Sequence, residues 1–212
     1  MAAIREVLDR KEVLRAEAAY ASGENARVSY KSMGEAVQGS DPLEIVVGLS
    51  PGFGRELFRT LAGHSLSAVL AAIREGIEAE GGHMRTVRFM HTADTSFLGL
   101  SAAGLAGSGV GIGLQAKGTS VIHRRDRLPH NNLELFSNAP ITTLEHYRGF
   151  GRNAVIYAKG EQPEPVVVPT EGEALGARFH ARSALIFAVE TAMTSDGARP
   201  EELEVTFLEN RT

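Results

Sequence analysis

The feature that most constrains this sequence is a run of alternating glycines near its centre. From Gly107 to Gly113, glycine alternates with Ser108, Val110 and Ile112. A glycine within a strand loses much backbone entropy and adds nothing to packing, so it usually marks a bulge or the close approach of another group. Four in alternation leave one face of the backbone without side chains. The pattern predicts a flat platform on which a broad ligand can lie.

The residues after the glycines add charge and polarity. Lys117 lies in a Lys-Gly turn, an apolar strand follows at residues 119–122, and His130, Asn131 and Asn132 come next in a loop. A lysine at the end of such a strand is suited to a phosphate or a polar ligand edge, although an ordinary turn lysine explains it equally well. Asn132 can equally be a turn residue that bonds to its own backbone. The segment predicts a broad ligand that carries an anionic group.

Composition narrows the class of protein. Hydrophobic residues make up 43% and charged residues 23% of the 212 positions, as in a globular domain. Cysteine is absent, which excludes disulfides, thiolate metal sites and a thiol nucleophile. The net charge of −4 gives no sign of nucleic-acid or anionic-membrane binding. The sequence has neither a membrane-length apolar run nor a secretory signal, so we expect a cytoplasmic protein.

Periodicity predicts an α/β domain that begins at Leu43. Residues 43–49 form a continuous apolar run, as expected for a strand covered on both faces. A helical apolar stripe follows from a cap at Ser65, and residues 84–90 form a second strand. This order predicts a βαβ unit with a parallel sheet. We expect residues 1–42 to form an N-terminal helix, over 1–20, and an extended arm or linker.

The rest of the chain is predicted to continue the alternation of helices and strands. We first expect a helix capped by Thr92 or Asp94 and ending at Ala106, followed by strands in the glycine segment and at 119–123. A capping box from Thr142 to Glu145 then opens another helix. After it we expect a loop at 160–176, a strand at 183–193 and a last strand at 203–207.

No complete catalytic motif is present. Gly52 and Gly54 follow a strand, but position 57 is leucine, so the dinucleotide-binding fingerprint lacks its third glycine. The histidines, including His123 and His130, show no paired metal-ligand spacing, and neither a nucleophile elbow nor a P-loop occurs. We therefore assign no catalytic residue and no metal ligand. The absence of these motifs favours a protein that holds a cofactor or serves as a subunit.

Several long stretches of the sequence resemble a known protein family. The segments IVVGLSPGFG, AIREGIEAEG, GSGVGIGLQAKGTSVIH, NNLELFSNAPITTLEHYRGFGRNAVIYAK and ARSALIFAVET resemble the medium (β) subunit of adenosylcobalamin-dependent diol and glycerol dehydratases. The resemblance covers residues 43–208. It implies a Rossmann-like, three-layer α/β fold with a mainly parallel central sheet. It also implies a subunit, not catalytic alone, of a hydro-lyase that turns a 1,2-diol or glycerol into an aldehyde by a radical mechanism.

The resemblance also implies partners and contacts. The chain would hold the lower face of the cofactor against a TIM-barrel large subunit, in a dimer of heterotrimers with a small subunit, served by a reactivating factor. The family's cofactor contacts carry over to Asp94, Lys117, His130 (through its backbone), Asn132, Arg178 and Ser183. The strictly aligned position of the family's arginine is Gly176, and Arg178 takes its place after a small shift.

Two further expectations concern the cofactor and the arm. The chain lacks the DxHxxG motif of enzymes that replace the lower base by a histidine, so the cofactor should keep its own dimethylbenzimidazole. In relatives, an N-terminal arm can direct packing into a bacterial microcompartment. Here the arm is short and lacks an Ala/Pro-rich linker, so that role stays open.

Two alternatives remain. One is the small subunit of the dehydratase-reactivating chaperone, which shares the fold but is usually much shorter and is not expected to keep the contact residues. The other is a free-standing nucleotide-binding module, which the broken glycine fingerprint disfavours.

Overall fold

The computed structural model describes residues 28–137, 139–168 and 174–207, with the side chains of 174–178 excepted. The elements in these residues are β1 Val28–Glu35, β2 Glu44–Leu49, α1 Leu66–Ala79, β3 His83–Arg88, α2 Thr95–Leu105, β4 Val110–Leu114, β5 Ser120–Arg124, β6 Glu134–Phe136, a 3₁₀ turn Ala139–Ile141, α3 Leu144–Ala158, α4 Ala174–Ala192 and β7 Glu201–Phe207.

One mixed sheet of seven strands organises the described chain, in the order β1-β7-β3-β2-β4-β5-β6. The central strands β3, β2 and β4 are parallel. Strands β5 and β6 on one side, and β7 and β1 on the other, join antiparallel. The predicted βαβ unit and the Rossmann-like α/β class are confirmed, with parallel pairing confined to the centre.

Helices cover both faces of the sheet because the side chains of β2 alternate between two cores. Ile45 and Val47 belong to the larger core, which contains the apolar faces of α1 and α3. Val46 points to the smaller core beneath α2. The sheet therefore forms the middle of three layers, and the continuous apolar run of β2 follows from its position.

Helix α1 forms where the sequence predicts it. The Ser65 hydroxyl accepts a hydrogen bond from Ala68 N at 3.2 Å, and the stripe that begins at Leu66 is buried. The helix ends before Gly81, whose φ of +76° is one that other residues rarely adopt. Cap, stripe and stop are thus confirmed.

Two local predictions are wrong. Of residues 183–193, predicted as a strand, all but Met193 belong to helix α4. Ile186, Val189 and Glu190 are buried at helical spacing, which a run of apolar letters conceals. The predicted capping box is displaced by one residue: Thr143, not Thr142, caps α3, with His146 as its partner. Thr142 is buried, and its carbonyl oxygen lies 3.0 Å from His64 Nε2.

The arm predicted at residues 1–42 contains strand β1, which pairs with β7 from Val28 to Glu35. The helix predicted at residues 1–20 lies outside the described residues. Among the helices that the structure describes, none is long and apolar enough to cross a membrane.

Candidate functional site

The glycine face of β4 is covered by the protein's own helix α2, so the prediction of an open ligand platform is wrong. All five residues of β4 are buried. A Cβ at Gly111 would collide with the backbone of Ala102 and Ala103, and one at Gly113 with the backbone of Thr95 and Gly99. The glycines allow α2 to lie directly on the strand. Close helix packing, and not a ligand, explains their alternation.

The two preceding glycines also have internal explanations. A Cβ at Gly107 would meet the backbone of Ser40 and Asp41. Gly109 has a φ of +76° and lies against the Arg125 guanidinium, which donates to the carbonyl oxygens of Ala106 and Gly107. The whole glycine run therefore serves the fold of this chain.

The candidate site lies instead at the carboxyl ends of the parallel strands. Strand β2 leads through α1 to β3 on one side, and β3 leads through α2 to β4 on the other. The strand order therefore reverses between β2 and β4, the place where open α/β sheets bind ligands. The backbone N–H of Ser50, just after β2, donates to Leu114 O at 3.1 Å. Beyond it lies the turn Gln115–Gly118.

Three elements hold this turn. Leu61 N donates to Lys117 O at 3.0 Å, and the buried Tyr147 hydroxyl donates to Gly118 O at 2.7 Å. From the other side, the Gln115 side-chain amide donates to Ala93 O, just before α2 begins. The backbone around Lys117 is therefore fixed relative to the segment before α1, to α3 and to the start of α2.

The Lys117 side chain is the cation of the site. It is half-buried, and its Nζ lies 5.9 Å from the centre of the Phe187 ring on α4. No carboxylate of the described residues lies within ion-pair distance of it. Burial lowers the pKa of Lys117, while the charges of Glu190 and Asp94 act in the opposite direction. The ammonium group is thus partly desolvated.

Glu190 lies behind the turn. Its side chain is 0% exposed. Its Oε1 accepts hydrogen bonds from the Ser50 hydroxyl and, at 3.1 Å, from Ala116 N, whereas Oε2 has no hydrogen-bond partner among the described residues. Burial raises the pKa of Glu190 to about 7, although these donors and Lys117 favour the ionised form. A buried, titratable carboxyl group thus touches the peptide that precedes Lys117.

Asp94, Phe97 and His130 form the neighbouring part of the site. Asp94 caps α2, because its Oδ1 accepts from Ser96 N at 2.8 Å and from Phe97 N at 3.1 Å. The Phe97 ring is exposed and meets the His130 ring edge-on, with centroids 5.8 Å apart. The capping role predicted for Asp94 is confirmed, and its charge acts on Lys117 as well.

Asn132 lies two residues beyond His130, at the entry to β6. Its Oδ1 is buried and has no hydrogen-bond partner in the described part of the chain. The loop before it is held by the buried His123, whose Nε2 lies 3.1 Å from Leu128 O and 3.0 Å from Pro129 O. An unused acceptor therefore lies on a loop of fixed position. His123 itself is a structural residue.

The last two predicted contacts lie on α4. Ser183 is half-buried and shares one helical face with Phe187 and Glu190, at spacings of four and seven residues. Arg178 lies in the same helix, but its side chain is outside the described residues. The structure thus brings Asp94, Lys117 and the α4 face together, and joins His130 to them through Phe97.

Sequence reasoning missed Phe97, Phe187 and Glu190. The signal for Glu190 was present, since a single acid in an apolar run has the helical phase of Ile186 and Val189. No group of three or more His, Asp or Glu side chains with the geometry of a metal site occurs in residues 28–137, 139–168 and 174–207.

Comparison with known proteins adds the family to this geometry. The family model described as dehydratase medium subunit matches residues 50–164, more than half of the chain. The chain belongs to this family. The region matched by the dehydratase medium subunit model includes Asp94, Lys117, His130 and Asn132, while Ser183 lies beyond its end.

Two solved structures resemble the chain weakly. One, a glycerol dehydratase reactivase, has a TM-score of 0.45 and 20% identity over 57% of this chain and 96% of its own. The other, a diol dehydratase-reactivating factor complexed with ADP and Mg²⁺, has a TM-score of 0.44 and 19% identity over 60% of this chain and 99% of its own. Likenesses of this size decide neither the fold nor the function of this medium-subunit family member.

Proposed function

We propose that the chain is the medium subunit of an adenosylcobalamin-dependent diol or glycerol dehydratase, and that the surface beside Lys117 holds the lower face of the cofactor. Membership of the dehydratase medium subunit family supports this. When bound, the cofactor supplies the adenosyl radical that abstracts hydrogen from the substrate. This chain binds and orients the cofactor and contributes no catalytic residue to the loss of water.

The observation that carries the proposal is the state of the Lys117 ammonium. It lies at the strand-order reversal, is half-buried over Phe187, and forms no ion pair with the described residues. A partly desolvated ammonium favours a ligand that offers oxygen atoms. Cobalamin offers two kinds, the carbonyl oxygens of its peripheral amides and the phosphate of its nucleotide loop.

The second supporting observation is the unused acceptor of Asn132. Its buried Oδ1 fits an N–H donor, and the peripheral amides of the corrin carry such donors. In this proposal Lys117 would donate to a carbonyl oxygen of the cofactor, and Asn132 would accept from one of its amide N–H groups. The glycine face of β4 takes no part, because α2 covers it.

The resemblance to the diol and glycerol dehydratase subunits also suggests the cofactor contacts, the lower base and the partner subunits. Asp94, His130, Asn132, Arg178 and Ser183 would contact the cofactor together with Lys117. The cofactor would keep its dimethylbenzimidazole base. A TIM-barrel large subunit would close the pocket from the opposite side, in a dimer of heterotrimers with the small subunit, in the cytoplasm or within a microcompartment.

Co-expression with the large and small dehydratase subunits tests this assignment. We expect the three chains to co-elute from a sizing column, and the complex to bind cobalamin in an absorbance titration while the chain alone binds weakly. A chain that ignores both subunits contradicts the proposal. A chain that instead pairs with the large subunit of the reactivating chaperone belongs to the alternative class.

A further inference from the structure

The carboxyl group of Glu190 is buried, although burial disfavours its charged form. Glu190 is not among the predicted cofactor contacts, so these do not explain its burial. It is fully inaccessible on α4, and it is the acid nearest in the fold to the turn that carries Lys117, among the contacts that the structure describes. Burying an ionised carboxylate costs desolvation free energy, and the hydrogen bonds that it accepts must offset this cost. The position of Glu190 beside the turn that carries Lys117 indicates the role of these hydrogen bonds.

The two hydrogen bonds of Glu190 join three segments at one point. The Ser50 hydroxyl comes from the end of β2, Ala116 N from the turn after β4, and the carboxyl group from α4. Ala116 N also approaches the Ser50 hydroxyl oxygen at 3.2 Å. Because Ala116 directly precedes Lys117, this junction determines where the lysine backbone lies relative to Phe187.

We propose that Glu190 is the positioning residue of Lys117: its carboxylate fixes the Gln115–Gly118 turn against α4 and so presents the lysine ammonium to the ligand. The bonds to an ionised acceptor are roughly twice as strong as those to a neutral one. Protonation of Glu190 weakens them and removes its attraction for Lys117. This inference rests on the proposed function, since the ligand concerned is cobalamin.

The proposal makes ligand binding depend on pH with a definite sign. Burial raises the pKa of Glu190 to about 7, so the carboxylate prevails above neutrality and the neutral acid below it. The charged groups that act on this junction are Lys117, from the turn, and Asp94, from the α2 cap, by way of Lys117. Affinity for cobalamin should therefore fall as the pH falls from 8 to 6.

The first experiment measures cobalamin affinity of the assembled complex by absorbance titration at pH 8 and pH 6. Glu190→Gln keeps the shape and an acceptor oxygen but removes the charge. We expect about a three- to tenfold loss of affinity at pH 8 and no difference from wild type at pH 6. Equal losses at both pH values, or no loss at either, would overturn the proposal.

Three control variants separate positioning from other effects. In a Lys117→Ala background, Glu190→Gln should cause no further loss, because the two residues act as one unit. Glu44→Gln removes a largely buried carboxylate at the opposite end of β2 and should leave affinity unchanged. His130→Asn replaces the histidine of the neighbouring loop, and the pH dependence should survive it. Additive losses, or a profile that follows His130, contradict a role for Glu190.

The second experiment needs no cofactor and therefore separates this inference from the proposed function. The rate of reductive methylation of Lys117 in the full chain, followed by mass spectrometry at pH 8, reports its neutral fraction. Without the Glu190 charge, the pKa of Lys117 falls, and methylation should become about threefold faster in Glu190→Gln. Lys31 serves as the internal reference. An unchanged rate refutes the coupling, whether or not the complex binds cobalamin.

Discussion

Strand β4 and the turn that follows it are adjacent in the sequence but differ in what they face. Residues 110–114 are fully enclosed, with α2 lying on the bare backbone of Gly111 and Gly113. Lys117, three residues later, is half-buried and has an ammonium group without a carboxylate partner among the described residues. One segment builds the core, and the next carries a partly buried charge.

The contrast shows that missing side chains do not by themselves make a binding surface. The same glycine pattern fits a ligand platform and a tightly packed helix, and the sequence does not show which group approaches. Here the helix approaches, and its close packing on β4 fixes the position of Asp94 at the helix start. The glycines therefore support the site from beneath without forming part of it.

The largest effect should come from adding a single methyl group to the enclosed strand. Gly111→Ala forces a Cβ against the backbone of Ala102 and Ala103 in α2, and should lower the free energy of unfolding by about 3 kcal/mol or more. Gly104→Ala is the matched control, since that helix position is open and alanine should stabilise it by about 0.5–1 kcal/mol. Urea unfolding followed by circular dichroism measures both. Tolerance of Gly111→Ala would mean that the strand is not enclosed.

Removal of the lysine should affect the ligand and not the fold. Lys117→Ala should raise the apparent KM for adenosylcobalamin by about 10- to 100-fold, the effect of one charge-assisted hydrogen bond, with kcat and subunit assembly retained. Lys31→Ala, on the edge strand β1, should leave the KM unchanged. An unchanged KM in Lys117→Ala would remove this residue from the site.

Glu190 should make the stability of the chain depend on pH. Because its folded pKa of about 7 lies above the ordinary value of 4.5, the folded chain holds the proton more tightly than the unfolded chain. Its contribution to stability is complete below about pH 4.5, declines as the pH rises and is lost above about pH 7. Glu190→Gln should flatten this decline, by an amount on the order of 2 kcal/mol between pH 5 and pH 8.

Denaturant unfolding at several pH values measures that slope. The exposed Glu161, replaced by Gln, is the control and should leave the profile unchanged. A wild-type slope that persists in Glu190→Gln would assign the titration to another group.

The smallest effect concerns the two roles of Asp94. Asp94→Ala removes the cap of α2 and should cost about 1 kcal/mol of stability, whereas Asp94→Asn keeps a capping oxygen and should cost little. If the charge of Asp94 also serves the cofactor, Asp94→Asn should still weaken cobalamin binding. Stability and affinity that change together in both variants would leave the cap as its sole role.

Elements with strong periodicity were predictable, and those with weak local signals were not. The apolar stripe of α1 and the Ser65 cap specify that helix, and the run before Leu49 specifies β2. Helix α4 was missed because its apolar letters satisfy a strand pattern as well as a helix pattern. Tertiary contacts bury Ile186 and Val189 on one side of the helix and so favour it over a strand. The local sequence does not indicate those contacts.

The candidate site was predictable only in part. Lys117 lies in the turn that follows a strand, so its place at the strand ends was inferable from the sequence. Its aromatic neighbour Phe187 and the buried Glu190 come from a helix about seventy residues away, and only the fold brings them together. The pKa of Glu190 depends on that burial and has no signature in the sequence.

A structure of the assembled complex with cobalamin, determined by cryo-electron microscopy, would show whether the Lys117 turn contacts the cofactor. We expect a corrin ring whose lower periphery lies within hydrogen-bond distance of Lys117 Nζ and near Asn132, with α2 still packed on Gly111 and Gly113. A tetrapyrrole that makes no contact with the Lys117 turn, or none bound at the strand ends, would contradict this expectation.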